Sequence, residues 1–328
     1  PEILDRLPIL GRVTQYEPGV SLTIEREINL QTDHYLVDHL FVYAPKPVEE
    51  QLPVVPMTMS LEFLAEAASL LAPGEGLVGY ENIRAMKWIA LKDKTTEQLR
   101  VEAKVTGYDQ DKSVRKIFVR FYTSEGLSFQ ATALFSTHLV KEINFDLVDS
   151  SKDGPWPIHQ SQLYGERFHF HGPMFQVMTE LDTYGNPGAS AKLEVLPKEK
   201  LFGHIPDPIL LTDPCLLDGI GHIVGLWALF AGVVVLPNAV ERIEYYGPVP
   251  PVGTRCPTRM ECYELNHELK QIRCHVEVED GQGNLWIRVQ GWSEWITSWT
   301  SEYLDATRMP TWYHMSQEIP LPGLPEST

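Results

Sequence analysis

Two segments of the chain are apolar on most of their helical faces. Residues 56–71 read PMTMSLEFLAEAASLL, and residues 214–230 read PCLLDGIGHIVGLWALF. Each opens with a proline, which suits the first turn of a helix because its missing N–H would have no partner there. A helix that is hydrophobic nearly all round is buried rather than lying on the surface. The pattern therefore predicts two buried helices.

Each predicted helix is followed by runs in which apolar and polar residues alternate, as in KIFVRFY. Alternation with a period of two is typical of β-strands that bury one face. Turn sequences such as Ser124-Glu125-Gly126 separate the runs. The predicted strands span residues 78–89, 100–106, 114–122 and 127–137 after the first helix, and residues 240–246, 254–265, 271–279 and 285–295 after the second.

This order of elements is a repeat of architecture with few identical residues between its copies. Pro56 and Pro214 stand about 158 residues apart, and Arg84 and Arg242 have the same offset. Single strands do not alternate with helices as they do in a parallel sheet, so we predict an α+β fold. The predicted divisions are a first half at residues 1–141, a linker at 142–158, a second half at 159–296 and a tail at 297–328.

Composition and charge exclude several classes of protein. The 328 residues include 27 Lys+Arg against 44 Asp+Glu, which gives a net charge of −17. With 43% hydrophobic and 10% aromatic residues, the chain is too apolar for intrinsic disorder. So acidic a surface argues against nucleic acid and anionic membranes as partners, because both attract a basic field. The longest apolar stretch, residues 220–236, is shorter than the ~20 residues of a membrane span.

A local basic cluster is the best candidate for contact with an anionic partner. It consists of Arg84, Lys87, Lys92 and Lys94. The alternative interpretation is an ordinary solvated strand and turn, since charge runs usually mark a solvated face.

The cysteines indicate a reducing, cytoplasmic setting. Cys215, Cys256, Cys262 and Cys274 form no C-x-x-C and stand in apolar or strand-like surroundings, so we expect neither disulfides nor metal ligation. The first residues do not have the composition of a secretory signal peptide. Because the chain begins with Pro1 rather than Met, we expect it to be part of something longer or to be processed.

Two motifs that commonly mark ligand sites are given structural interpretations. Residues 74–79 match G-x-G-x-x-G, but a dinucleotide fingerprint follows a strand and opens a helix, and here the order is reversed. His169-Phe170-His171 offers two possible metal ligands, but no third ligand stands at a fitting spacing. We therefore predict neither a dinucleotide nor a metal, and we interpret the two histidines as a structural pair.

An acidic residue inside the second apolar helix is the clearest sign of chemistry. Asp218 stands in the first turns of that helix, where burial of a carboxylate is costly without a partner or a purpose. His222 follows one helical turn later and is placed to hydrogen-bond it. We expect the apolar surroundings to raise the pKa of Asp218 and keep it protonated. Asp213, directly before the helix, is the predicted N-cap.

Six short motifs, taken in order, resemble the dehydratase domains of type I polyketide synthases and polyunsaturated fatty acid synthases. Each motif is weak alone, and their order over residues 7–296 carries the resemblance. They are LPILG at 7–11, YLVDH at 35–39, PVVP at 53–56 with LE at 61–62, YG at 164–165 with GPMFQ at 172–176, DPCLLDGIGH at 213–222, and VEDGQG at 278–283. The resemblance implies a double hotdog, in which each half is a long helix wrapped by an antiparallel sheet.

The same resemblance implies a reaction and its residues. A 3-hydroxyacyl thioester on the phosphopantetheine arm of an acyl carrier protein would lose water to give a 2-enoyl thioester. His39, on a strand, would be the base at the α carbon, and Asp218, aided by His222, would protonate the leaving hydroxyl group. Near pH 7 a neutral imidazole is a competent base.

Five further residues correspond to the substrate-binding part of the family pattern, and no cofactor is implied. They are Pro56, Met57, Tyr164, Gly172 and Pro173. The N–H groups at the start of the first helix, around Met57 and Thr58, are candidate donors to the enolate-like charge. The implied partners are an acyl carrier protein, the other domains of a parent synthase and a second copy in a homodimer.

Departures from the family pattern leave other functions open. Tyr43 stands where the family has a glycine after its histidine, residues 44–52 contain an insertion of about eight residues, and His171 replaces a tyrosine. The insertion has a loop composition and is expected to border the pocket mouth. One alternative is a dehydratase-like domain that isomerises double bonds or cyclises its substrate. Another is a silent scaffold that only binds acyl chains or dimerises.

Overall fold

Both long helices predicted from the apolar runs are present. The computed structural model describes residues 7–41, 47–91, 95–111, 113–139, 147 and 153–298. Helix α1 spans Met57–Ser69, a short helix α2 spans Gln160–Gly165, and helix α3 spans Pro214–Phe230. Every residue of α1 from Thr58 to Ala68 is buried. The predicted N-cap of α3 is confirmed, because the Asp213 carboxylate accepts the backbone N–H of Leu216 at 3.1 Å.

Twelve strands and three short 3-10 segments complete the described secondary structure. The 3-10 segments are His34–Asp38, Val48–Gln51 and Pro173–Phe175. The strands are β1 Arg12–Glu17, β2 Ser21–Asn29, β3 Gly76–Ala85, β4 Thr96–Asp109, β5 Val114–Thr123, β6 Gly126–Ser136, β7 Met178–Tyr184, β8 Gly188–Glu194, β9 Val235–Tyr245, β10 Arg255–Asn266, β11 Gln271–Glu279 and β12 Leu285–Ile296.

The eight strands predicted after the two helices are confirmed, whereas the four that precede them were missed. Strand β1 is exposed at all six positions, so it lacks the alternation that reveals a half-buried strand. Strand β2 does alternate buried and accessible residues, and its pattern was available in the sequence. Each half therefore has a strand pair before its long helix, and this pair forms one edge of the sheet.

The strands form one continuous sheet in which neighbouring strands are antiparallel. Its order is β1-β2-β4-β5-β6-β3-β9-β12-β11-β10-β8-β7, so β3 and β9 join the two halves. Across this join Tyr80 lies opposite Ile243, and the carboxylate of Glu81 pairs with the guanidinium of Arg242. The separate sheets suggested by the repeat are thus two parts of a single sheet.

Helices α1 and α3 pack on this sheet and contact each other. Phe63 of α1 meets Phe121 of β5 edge to face, with ring centroids 5.2 Å apart. A buried carboxylate in α1 also fixes the chain that leads into α3, because Glu62 accepts the backbone N–H groups of Leu211 and Thr212 at 2.6 and 2.7 Å. Burial raises the pKa of Glu62 to about 7. This contact sets the start of the helix that carries Asp218 relative to the other half.

Some sequence-based predictions fall on residues outside the described ranges. These include Lys92, Lys94, residues 44–46 of the insertion, most of the linker and the tail from residue 299. All four cysteines are described, and each is a buried free thiol. In the described part of the chain, no helix has both the length and the apolarity needed to cross a bilayer.

Candidate active site

His39 lies at the end of a 3-10 segment, and its predicted position on a strand is wrong. The segment His34–Asp38 precedes it, and the N–H of His39 bonds to the carbonyl of Leu36. Contacts from the second half hold this segment in place. The carbonyl of Asp38 accepts the N–H of Gly172 at 2.8 Å, and the Asp38 carboxylate accepts the N–H of Met174 at 2.7 Å. The resemblance implied a strand here, and the distant partners that hold the 3-10 segment are not visible in sequence.

The imidazole of His39 is arranged as a neutral base. Its Nδ1 lies 2.8 Å from the carbonyl oxygen of Val54, which accepts a hydrogen and never donates one. The proton therefore sits on Nδ1 and the lone pair on Nε2. Burial lowers the pKa of His39, against the opposing effect of Asp218. His39 is 7% exposed, and its ring lies against the rings of Phe170 and Phe175. The ring therefore faces the cavity rather than bulk water.

Asp218 is brought to the same place from the second half by α3. Its Oδ2 lies 3.1 Å from Nε2 of His222, which confirms the predicted helical-turn contact. The same oxygen lies 3.2 Å from Nε2 of His171. Thr58 of α1 donates its hydroxyl to Oδ1 at 3.3 Å. The Asp218 carboxyl group thus accepts hydrogen bonds from a helix of each half, α1 through Thr58 and α3 through His222.

A chain of hydrogen bonds assigns the proton positions around Asp218. The N–H of Met178 donates to the Tyr164 oxygen at 3.0 Å, so the Tyr164 hydroxyl hydrogen is free to donate to Nδ1 of His222 at 3.2 Å. His222 then carries its proton on Nε2 and donates it to Asp218. Asp218 is an acceptor in this network, as an ionised carboxylate is.

The prediction that Asp218 stays protonated is wrong. Burial raises its pKa, as expected, but the hydrogen bonds from His171 and His222 outweigh burial and hold the pKa well below its usual value. His171 lies in the same apolar surroundings, and burial lowers its pKa to about 3, so it is a neutral donor. Two imidazole N–H groups thus replace the water that would otherwise solvate the carboxylate.

His171 is a site residue that the sequence analysis set aside as structural. Donor atoms of His39, His171 and Asp218 all lie within 4.8 Å of one another. Two imidazoles and a carboxylate are suitable ligands for a transition metal, but of the pair considered in the sequence only His171 belongs to this group, and its other two members come from distant parts of the chain. His169 has the supporting position predicted for it: its ring stacks on His222 with centroids 4.6 Å apart.

The five predicted substrate-binding residues divide into two groups. Met57 lines the cavity described below, whereas Pro56 is the N-cap of α1. Tyr164 stands behind His222, and Pro173 begins a 3-10 segment. At Gly172 an added Cβ would lie 2.2 Å from Oδ1 of Asp38, so only glycine allows this close approach. Apart from Met57 these residues do not line that cavity, although Tyr164 and Gly172 line a neighbouring one that shares His171 with it.

A cavity of about 160 Å³ opens over the histidines and Asp218. Its lining is mainly apolar and includes residues of both halves, among them Val55 and Met57 near α1 and Leu236 near α3. Lys87 and Trp88 are the exposed members of the lining, and they mark its opening to solvent. A mainly apolar cavity with a few convergent polar groups is typical of a site for an apolar ligand with one reactive end.

The second half matches a known sequence family, and most of the chain is similar to a known synthase. Residues 144–293 match the family model described as polyketide synthase dehydratase N-terminal domain. A polyunsaturated fatty acid synthase component from Thraustochytrium sp. is 22% identical over 273 residues, which cover 82% of this chain. The chain spans only 9% of the length of that relative.

Solved dehydratase structures share this architecture over 89% of the chain. The dehydratase domain from the CurJ module of curacin polyketide synthase has a TM-score of 0.62 at 16% identity, over 98% of its own chain. The domain from the CurF module has a TM-score of 0.63 at 17% identity, over 99% of its own chain. The first dehydratase of GphF has a TM-score of 0.62 at 14% identity, over 100% of its own chain. The resemblance to polyketide and polyunsaturated fatty acid synthase dehydratases is confirmed, and so is the predicted double hotdog fold.

Proposed function

We propose that this chain, a double hotdog similar to polyketide synthase dehydratases, removes water from a 3-hydroxyacyl thioester to give a 2-enoyl thioester. One observation carries the proposal: a neutral histidine with a free Nε2 and an ionised aspartate, one from each half, meet in a mainly apolar cavity. Two solved structures of the CurK dehydratase, a His→Phe and an Asp→Asn variant, are each described as inactive mutants. A His/Asp pair fits a reaction that must break one C–H and one C–O bond.

His39 begins the reaction by taking the proton from the α carbon. Its Nδ1–H bond to Val54 holds the lone pair of Nε2 toward the cavity. The imidazolium that forms is stabilised by the nearby Asp218 carboxylate, whose charge raises the pKa of His39. The electron pair of the C–H bond moves toward the thioester carbonyl, and this enolate-like charge requires donors.

The start of α1 supplies candidate donors for that charge. Among the described residues no side chain caps this helix, so the N–H groups of its first turn, around Met57 and Thr58, are not taken up by a capping oxygen there. The helix dipole also favours negative charge at this end. Met57 lines the cavity, and this position supports a role for the helix start in binding the thioester.

Asp218 holds the β-hydroxyl group, and His39 returns the proton. Oδ2 of Asp218 already accepts from His171 and His222, whereas Oδ1 accepts from Thr58 alone among the described residues, at 3.3 Å, and retains room for a substrate hydroxyl. The C–O bond breaks as the electron pair forms the C=C bond, and the departing oxygen takes the proton from the His39 imidazolium. Water leaves, and His39 is neutral again without any cofactor.

The cavity opening suits an acyl carrier protein as the bearer of the substrate. Lys87 offers a positive charge beside the exposed residue Trp88, and this pair would suit the phosphate and the adjoining arm of phosphopantetheine. Similarity to a much longer synthase chain supports further domains in a parent protein. The carrier protein, these domains and a homodimer are all part of the proposal.

Incubation with 3-hydroxyacyl pantetheine thioesters, followed by mass spectrometry, tests the function. We expect the thioester to lose one water when it is incubated with the wild type, and not when it is incubated with His39→Ala. A moved double bond or a ring formed at constant mass would instead identify an isomerase or a cyclase. Binding without any chemical change would identify a silent scaffold.

A further inference from the structure

A second carboxyl group lines the cavity and has no part in the proposed chemistry. Glu294 lies near the end of β12, is 1% exposed and belongs to the cavity lining. Its Oε1 accepts the indole N–H of Trp292 at 2.6 Å. Within the described part of the chain, Trp292 is its only hydrogen-bond partner, so Oε2 is left without one. A buried polar group facing a ligand cavity calls for a polar group on the ligand.

We propose that Glu294 determines substrate specificity by hydrogen-bonding a hydroxyl or carbonyl oxygen on the distal part of the acyl chain. The proposal rests on the function given above, because it treats the cavity as an acyl site. It identifies the substrates as 3-hydroxyacyl thioesters that carry a second oxygen function beyond the reacting carbons. Saturated hydrocarbon chains would be the poorer substrates.

The charge state of Glu294 suits this recognition. Burial raises its pKa to about 8, the negative charge of Asp218 adds to the shift, and the hydrogen bond from Trp292 opposes it. The group is therefore mostly a neutral carboxylic acid at pH 7. Its carbonyl oxygen accepts from Trp292, which leaves an O–H on Oε2 to donate to a substrate oxygen.

One face of α3 leads from the reacting groups toward Glu294. Asp218, Gly221, His222 and Gly225 all line the cavity, and their spacing places them on one side of the helix. This face is about 10 Å long at 1.5 Å per residue. A Cβ added at Gly221 would lie 3.4 Å from the Trp292 ring, and a Cβ added at Gly225 would lie 3.9 Å from the His169 ring. Packing thus leaves room at these glycines, and the room is available to an acyl chain.

The contact with Gly221 also fixes where Glu294 lies along this path. The Trp292 ring approaches Gly221, which is less than one helical turn beyond Asp218, and the same indole holds the Glu294 carboxyl. The wall beside Glu294 is completed by Pro237, its partner on β9, with Leu236 next to it. Glu294 is therefore a single polar group in an otherwise apolar part of the wall.

Matched thioesters of equal chain length test the proposal. One member is saturated beyond C3, and the others carry one hydroxyl group, moved a carbon at a time from C5 outward. Binding to His39→Ala, measured by calorimetry, reports recognition even if turnover fails, and kcat/KM of the wild type reports it during turnover. We expect one hydroxylated member to be preferred by about tenfold, the size of one hydrogen bond that the saturated analogue leaves unmade.

Two substitutions separate recognition from folding. Glu294→Gln keeps the size and a hydrogen-bond donor, so the preference should persist, whereas Glu294→Leu removes the donor and should abolish it. The proposal is overturned if no hydroxylated member binds better than the saturated one, or if Glu294→Leu retains the preference. Absence of dehydration by the wild type, with the binding preference intact, would refute the proposed function and leave the role of Glu294 standing.

Discussion

The carboxylate of Asp38 accepts the backbone N–H of Met174 at 2.7 Å, across 136 positions of sequence. This bond joins the residue before His39 to the segment that follows His171. A second bond, from the N–H of Gly172 to the Asp38 carbonyl, runs beside it. The base from one half is therefore placed by the backbone of the other, and the relative position of the two halves decides the geometry of the site.

Substitution Asp38→Ala should reduce activity through this placement. Loss of the bond to Met174 leaves its N–H unpaired, which should lower the free energy of unfolding by about 1–2 kcal/mol. A displaced His39 should lower kcat by about 10- to 100-fold. Asp38→Asn keeps an acceptor oxygen and is the matched control for turnover and thermal melting. Equal kcat for Asp38→Ala and the wild type would contradict the positioning role.

Substitution His39→Ala should leave a folded protein without measurable dehydration. His39 is the proposed base and returns the proton as well, and loss of such a group costs about 10²–10⁴-fold. Enoyl product followed by mass spectrometry is the measurement, and circular dichroism checks the fold. Near-normal turnover by a folded variant would remove His39 from the mechanism.

Substitution Asp218→Asn should reduce both stability and dehydration. The ionised carboxylate accepts charge-assisted hydrogen bonds, which are about twice as strong as neutral ones, so the free energy of unfolding at pH 7 should fall by about 1–2 kcal/mol. Because the folded pKa is depressed, this contribution is present above the unfolded value of about 3.9 and is lost as the pH falls through the folded pKa. Thermal melts at pH 7 and pH 3 measure the difference.

The same variant tests the division of labour between the two residues. Dehydration should fall by orders of magnitude because the β-hydroxyl group is no longer held, while His39 still exchanges the α proton with deuterated solvent. Loss of exchange together with dehydration would show that Asp218 acts in the first step. A stability equal to that of the wild type would indicate a protonated carboxyl in the folded protein.

Buried neutral histidines should make the protein sensitive to mild acid. Burial lowers the pKa of His171 to about 3, below the unfolded value of about 6.5. Between about pH 6.5 and pH 3 the unfolded chain therefore binds a proton at this residue and the folded chain does not. The free energy of unfolding falls as the pH drops through this range. At pH 5 the loss from His171 alone is about 2 kcal/mol. Chemical denaturation at pH 7 and 5 should show it, and His171→Gln should flatten the profile.

Metal removal and metal addition should have opposite effects. EDTA should leave dehydration unchanged, because the proposed steps use only protein groups. Added Zn²⁺ should inhibit, because His39, His171 and Asp218 present donor atoms within 4.8 Å of one another and His39 would lose its free lone pair. His171→Gln should be less sensitive to Zn²⁺. Activity lost with EDTA and restored by a divalent ion would contradict the mechanism.

The sequence by itself determined the elements and the local part of the site. Nearly continuous apolar runs are sufficient to predict α1 and α3, and the i,i+4 spacing of Asp218 and His222 is a property of the helix alone. The alternating runs likewise predicted eight strands. These features depend on neighbours within a few residues, so a short stretch of sequence contains their physical cause.

Only the tertiary structure decided the neighbours and the charge of the catalytic groups. Thr58 reaches Asp218 across 160 positions, and His171 reaches it from a different segment, so no spacing rule connects them. The apolar residues around Asp218 in the sequence predict its burial, and burial alone would raise its pKa and keep it protonated. Hydrogen bonds from His171 and His222 reverse that outcome, because a buried carboxylate stays ionised where enough N–H groups converge on it. Among the described residues Glu294 has one donor, Trp292, and for that reason the same apolar environment keeps it neutral.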